Sequence, residues 1–294
     1  MPPLAPLVPD AAAPEGPPGR VRGCACHGGR RGFLRLLAVG GAAGGGPVLA
    51  RAQVQVGEAS RLRQLVPAEQ LETSAQAQYA QLLAQAQAKG ALVQGAPLQR
   101  LQRIARRLIP HALAWNSRAR DWRWQVALIR SDEINAFCMP GGKIAFFTGI
   151  LDRLKLSDDE AAMVMGHEMA HALREHSREQ LAKSQATGIG LSLGAQLLGL
   201  GDLGNAAARL GTQLLTLKFS RNDESEADLV GLELAARAGY NPQAAVSLWR
   251  KMGEATGGGG IGFLSTHPTG PDRIRQLEGN VPRVMPLYEQ SRRR

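Results

Sequence analysis

His167-Glu168-Met169-Ala170-His171 leaves little freedom over local structure. Two histidines four residues apart reach the same point in space when the backbone between them is α-helical, because one helical turn stacks i and i+4 on a single face. Imidazoles so placed can grip one Zn²⁺ at roughly 2.0–2.1 Å each. The residue after the first His then lies beside the open side of the metal, where the Glu168 carboxylate can take a proton from water. The flanks agree with a helix. Ser157 followed by Glu160 forms a capping box, in which each side chain closes an orphan N–H of the first turn. Ala161, Ala162, Met163, Val164 and Met165 are mostly good helix formers. Gly166 is costly inside a helix, so its presence predicts close packing against a neighbour.

A catalytic zinc takes three protein ligands and keeps a fourth position open. The third ligand is expected from the stretch that opens at Ser220-Arg221-Asn222-Asp223-Glu224. Glu224 and Asp228 are four apart and share a helical face. One carboxylate can bind metal while the other accepts the free ring N–H of a ligating His, which fixes its tautomer. Glu226 lies about 200° round the helix from Glu224 and reads as a solvated acid. His176, five residues after His171 and about 140° away on a continued helix, reads as a surface residue. His267 differs. It follows the run Gly257-Gly258-Gly259-Gly260 and sits in Ser265-Thr266-His267-Pro268. Three readings are open for it: a temporary fourth ligand, a hydrogen-bond donor to the transition state, or a turn histidine before proline.

These motifs resemble metallopeptidase family forty-eight. The resemblance rests on His167-Glu168-x-x-His171, then Glu224-x-x-Ala227-Asp228, then Thr266-His267-Pro268 with Arg273-Ile274. Asn135-Ala136-Phe137 followed by Pro140-Gly141-Gly142-Lys143-Ile144 is similar to the stretch before the zinc helix in that family. The similarity runs from about residue 95 to about residue 280. It implies a zincin-like (gluzincin) α+β fold, mainly helical, with a small sheet beside the zinc-binding helix. It further implies one Zn²⁺ per chain held by His167, His171 and Glu224, with Glu168 as general base. The family's HtpX and prenyl-protease branches carry several membrane spans, and its BepA branch carries a helical repeat domain. The single-domain, periplasmic, LoiP-like branch fits this sequence best.

Ahead of the domain, Arg30-Arg31-Gly32-Phe33-Leu34-Arg35 is close to a twin-arginine export signal. A Gly-rich apolar run from Leu36 follows, and Ala50-Arg51-Ala52 has the form of a signal-peptidase site. Residues 1–52 are therefore expected to be an export leader and the mature protein periplasmic. The formal charge of +10 partly belongs to this leader, which holds six Arg against Asp10 and Glu15, and Arg292, Arg293 and Arg294 add three more charges. The remainder is mildly basic, without an aromatic-basic platform, which excludes nucleic acid as the expected partner. Peripheral contact with anionic headgroups is compatible with it. Cys138 is the only cysteine beyond the leader, so an intrachain disulfide is excluded there.

The mature part divides into a helical segment at 53–95, a peptidase domain at 96–282 and a basic tail at 283–294. Ser74 to Lys89 reads as a helix stopped by Gly90. Pro97 opens another, with Leu98, Leu101, Ile104, Ala105 and Leu108 on one stripe and four arginines mostly off it. Trp122, Trp124, Val126 and Leu128 alternate as in a strand. Ile134 to Cys138, the Pro140-Gly141-Gly142 turn and Lys143 to Thr148 form a hairpin. An edge strand beside a metal can pair with extended substrate backbone, and Asn135, Ala136 and Phe137 are the candidate substrate contacts. Residues 184–201 are uncharged but too polar for a membrane span, and read as a flap or a gripping surface. The function expected is zinc-dependent endoproteolysis of unfolded or misassembled envelope proteins. Two alternatives stay open: a zinc-stabilised chaperone or scaffold without catalysis, and a membrane-associated protease acting on lipid-modified peptides.

Overall fold

The computed structural model describes residues 54–186, 214, 217–255, 262–267 and 272–293. The leader, the four-glycine run and residues 187–201 of the expected flap lie outside them.

Helix α4 (Asp158–Leu173) is the centre of the molecule. It starts where the capping box places it: Ser157 Oγ accepts the Glu160 N–H at 3.2 Å, and the Glu160 carboxylate accepts the Ser157 N–H at 2.9 Å. From Glu160 to Leu173 every residue is buried. It packs on helix α2 (Ala96–Leu108), strand β2 (Ala136–Met139), and helices α5 (His176–Ala186), α6 (Arg221–Arg237) and α7 (Ala244–Ala255). The close approach expected at Gly166 is the crossing with α6. A Cβ on Gly166 would lie 2.8 Å from the Gly231 carbonyl oxygen, and one on Gly231 would lie 2.6 Å from the His167 nitrogen. Two glycines facing each other let the two backbones nearly touch. Helix α6 begins with its own capping box, Ser220 with Asp223.

Strands β1 (Gln125–Ile129), β2 and β3 (Lys143–Phe147) form one sheet in the order β1-β3-β2. The hairpin β2–β3 is antiparallel, and its turn places Gly141 and Gly142 at φ 79° and 76°, where L side chains are strained. Strand β1 runs parallel to β3. Trp122 and Trp124 are buried but precede the strand. Instead of alternating with solvent, β1 is buried from Val126 to Ile129, because both faces of the sheet are covered. Val126 and Leu128 join the larger core with α2, α4 and α6. Ala127, Ile129, Met139 and Ala145 join a second core built on helix α1 (Ala68–Ala88). Tyr79 of α1 donates to the Ile144 carbonyl at 2.6 Å and ties that layer down. α1 starts at Ala68, ahead of the expected Ser74, on the capping residue Pro67. In α2 the expected stripe Leu98, Leu101, Ile104, Ala105, Leu108 is the buried face, each Leu or Ile contributing about 1.5–3 kcal/mol of burial.

A short helix α3 (Thr148–Arg153) follows β3, and α8 (Gly262–Thr266) precedes the last helix, α9 (Arg273–Arg292). Residues 283–292, expected to be tail, continue α9. Val284 and Leu287 extend the buried stripe of Leu277 and Val281, which holds the helix together through Pro282 and Pro286. Among the described residues no helix is long and apolar enough to cross a membrane.

Candidate metal centre

Helix α4 presents His167 and His171 toward α6, and α6 presents Glu224 and Asp228 back. Just after α8, His267 enters from the third side. His167, His171, Glu224 and His267 are 2–4% exposed, and one ligand-type atom from each lies within 4.8 Å of all the others. His171 Nε2 is 3.1 Å from His167 Nε2 and 3.4 Å from Glu224 Oε1. His267 Nδ1 is 2.9 Å from Glu224 Oε1 and 3.4 Å from His167 Nε2. Three imidazoles and a carboxylate converging on a water-poor point are a donor set suited to Zn²⁺.

Outer contacts hold these side chains. Asp228 Oδ1 faces His167 Nδ1 at 3.0 Å, the arrangement that leaves Nε2 free for metal. Arg273 donates to both oxygens of Asp228 at 2.7 Å and to Glu224 Oε2 at 2.9 Å, and its guanidinium lies over the Trp249 ring at 3.4 Å. The His267 ring stacks on Phe263 at 4.4 Å, and His171 stacks on Phe219 at 4.0 Å. Electrostatics follow from burial and these neighbours. Burial alone would lower His167, but Asp228 and Glu224 outweigh it and raise its pKa to about 9. Burial keeps His171 well below the usual histidine range, hence neutral. Burial would raise Glu224, yet hydrogen bonds from the three histidines hold it far below the carboxylate range.

Glu168 is different. Burial raises its carboxyl despite nearby His267 and His167. Its Oε1 is buried without a hydrogen-bond partner among the described residues. His267 Nε2 stands 3.5 Å away. Such an atom beside a ligand cluster fits a group that meets a metal's water, and a raised pKa suits a general acid–base. A cavity of about 190 Å³ runs from Glu168, His171 and His267 past Asn135, Ala136 and Phe137 along β2, an edge strand among the described residues.

Two expectations need correction. His176 is buried, with Nδ1 3.0 Å from His171 Nδ1. A phase of about 140° holds only on a continuous helix, but α4 ends at Leu173 and Glu175 takes φ 59°, so the chain turns and brings His176 back at the start of α5. Glu226 does point away from Glu224, but toward Arg174 and His176 instead of water; its side chain is 12% exposed and 2.8 Å from Arg174 Nη2. The only signal in the sequence for this pair was a positive-φ break after α4, which Glu175 does not advertise.

Peptidase family M48, as a family model, matches residues 96–281. The chain belongs to peptidase family M48. The M48 region starts with α2 and ends inside α9, so the segment carrying α1 precedes it. Among curated relatives, the mitochondrial metalloendopeptidase OMA1 of Schizosaccharomyces pombe is 40% identical over 174 residues, covering 58% of this chain and 50% of that protein. The OMA1 of Arabidopsis thaliana is 42% identical over 160 residues, 54% of this chain and 32% of its own. The β-barrel assembly-enhancing protease of Escherichia coli is 28% identical over 204 residues, 66% of this chain and 40% of its own. The chain thus spans half or less of the length of these M48 relatives.

Proposed function

We propose that this M48 chain is a zinc metalloendopeptidase that cuts extended segments of unfolded or misassembled envelope proteins. The observation that carries the reading is the buried Glu168 oxygen, without a hydrogen-bond partner among the described residues, beside a four-residue ligand cluster at the end of a cavity along β2. His167, His171 and Glu224 would hold the zinc. When bound, it supplies Lewis-acid polarisation of the scissile carbonyl. Glu168 takes the proton from the attacking water and delivers it to the leaving amine nitrogen. Asp228 orients His167, and Arg273 keeps Asp228 and Glu224 in place. Extended substrate would pair with the free edge of β2 at Asn135, Ala136 and Phe137, so that main-chain bonds carry affinity and many sequences are accepted.

The envelope assignment is supported by the leader-like residues 1–52 and by similarity to a protease that enhances β-barrel assembly. His267 is read as a latch: its Nδ1 stands among the ligand atoms, where the open coordination position is needed for water. The test is zinc analysis and casein cleavage by the purified protein with and without a chelator, together with Glu168→Gln. The expected outcome is zinc retained by Glu168→Gln and turnover lowered about 10²–10⁴-fold. Near-normal turnover by the zinc-loaded variant refutes the role of Glu168, and a wild-type protein without zinc refutes the function.

A further inference from the structure

The two zinc-helix histidines are backed differently. His167 leans directly on a carboxylate that an arginine clamps, Asp228 with Arg273. Among the described residues no carboxylate touches the outer nitrogen of His171; His176 does. Behind His176 stands the same kind of pair. Glu226 Oε2 lies 3.5 Å from His176 Nε2, and Arg174 Nε donates to that oxygen at 2.9 Å. Asn222 donates to Glu226 Oε1 at 3.2 Å. The far end of Arg174 donates to the Gly57 carbonyl. Gly57 itself lies so close that a Cβ there would meet Glu226 Oε1 at 3.3 Å.

We propose that His176 and Glu226 are positioning residues that orient the metal ligand His171, with Arg174 and Gly57 fixing the outer end. The proposal rests on the zinc reading above. Its logic is one of proton placement. The Nε2 of His171 faces the cluster, so a ligating His171 carries its proton on Nδ1. That proton is donated to His176 Nδ1, which must then be the acceptor. The His176 proton consequently sits on Nε2, facing Glu226. A flip of either ring would set two N–H groups or two lone pairs against each other in a buried site, at the cost of an unmade hydrogen bond. Partners of this kind on a ligating histidine are generally worth 10–100-fold in metal affinity. Gly57 lies ahead of the M48-matched residues, so a segment outside the family match would help hold a metal ligand.

The experiment compares the full protein with His176→Leu, His176→Gln and Glu226→Gln. The readouts are zinc Kd by chelator competition and the melting temperature of the metal-free forms. His176→Leu, similar in bulk but without an acceptor, is expected to weaken zinc by about 10–100-fold in a protein that still melts cooperatively without metal. His176→Gln, whose amide oxygen can accept the His171 proton, is expected to recover part of that loss, and Glu226→Gln to lose less than His176→Leu. Ring-nitrogen NMR of the zinc-loaded wild type is expected to place protons on His171 Nδ1 and His176 Nε2, a readout that needs no variant to fold. A zinc Kd for His176→Leu within about twofold of wild type, or a proton on His176 Nδ1, overturns the relay while leaving the zinc peptidase intact. Absence of zinc from the wild type overturns both.

Discussion

Gly231→Ala puts the geometry of the α4–α6 crossing to its most direct test. The added methyl would sit 2.6 Å from His167 N, 2.8 Å from the Gly166 carbonyl carbon and 2.9 Å from His167 Cα. All three are backbone atoms, so no side chain can rotate away. The helices must separate by roughly 0.8 Å to restore ordinary contact, and overpacking of this kind costs about 1–3 kcal/mol. For a domain of this size that corresponds to a fall of roughly 2–12 °C in melting temperature. The clash also lies on the line between His167 and its partners on α6. Separation therefore lengthens the 3.0 Å His167–Asp228 contact and spreads the ligand cluster. Zinc Kd should rise together with the loss of stability. Gly279→Ala in α9 is the control: nothing lies within 4 Å of its Cβ, and helix propensity gives a gain of about 0.5–1 kcal/mol. Thermal melts of metal-free and zinc-loaded protein, with chelator competition, measure both effects. A Gly231→Ala protein that melts and binds zinc like wild type would refute the close-crossing argument.

Zinc affinity should depend on pH. With His167 raised to about 9 in the metal-free site, zinc must displace its proton below that pH, so apparent affinity should fall about tenfold per unit from pH 9 to 7; a flat profile contradicts this. His267→Ala should raise the rate on small peptides with zinc retained, if the histidine closes the open position; a lowered kcat would instead make it a transition-state donor, and an unchanged rate neither. Glu160 contributes to stability through its charge. Burial would raise it, but Lys251, the Ser157 N–H and Ser247 hold it low. Its contribution is present above the unfolded value of about 4.3 and lost as pH falls through the folded one, so Glu160→Gln should cost about 1–3 kcal/mol at pH 7 and flatten the acid limb in urea melts.

What was legible in the sequence was what depends on local period. The helix of His167 and His171, its capping box, the α2 stripe and the glycine hairpin follow from i,i+3 and i,i+4 spacing or from obligatory φ values. Glu224 and Asp228 could be paired for the same reason. Facts that depend on how elements meet were not legible. The parallel β1–β3 pairing needs a crossover that no local pattern encodes. Gly231 reads as a weak helix residue until the Gly166 face is laid against it. His176 and Glu226 were misplaced because one non-glycine residue, Glu175, takes a left-handed conformation and redirects the chain. The basic composition of 283–294 suggests a tail, whereas burial of Val284 and Leu287 carries the last helix through Pro282 and Pro286 to Arg292.

The second core has a consequence for anyone who trims this protein. Its strand residues Ala127, Ile129, Met139 and Ala145 are roofed by Leu71, Ala75 and Tyr79, which all precede the family match at residue 96. A fragment cut to residues 96–281 would lose that roof, keep only Leu181, Ala182 and Leu214 of the buried covering layer, and leave β2 as the edge strand among the described residues. Bare apolar strands with an open edge are templates for association between chains. The homology boundary and the start of the covering helix at Ala68 therefore fall about thirty residues apart, and recombinant fragments should be drawn from the second.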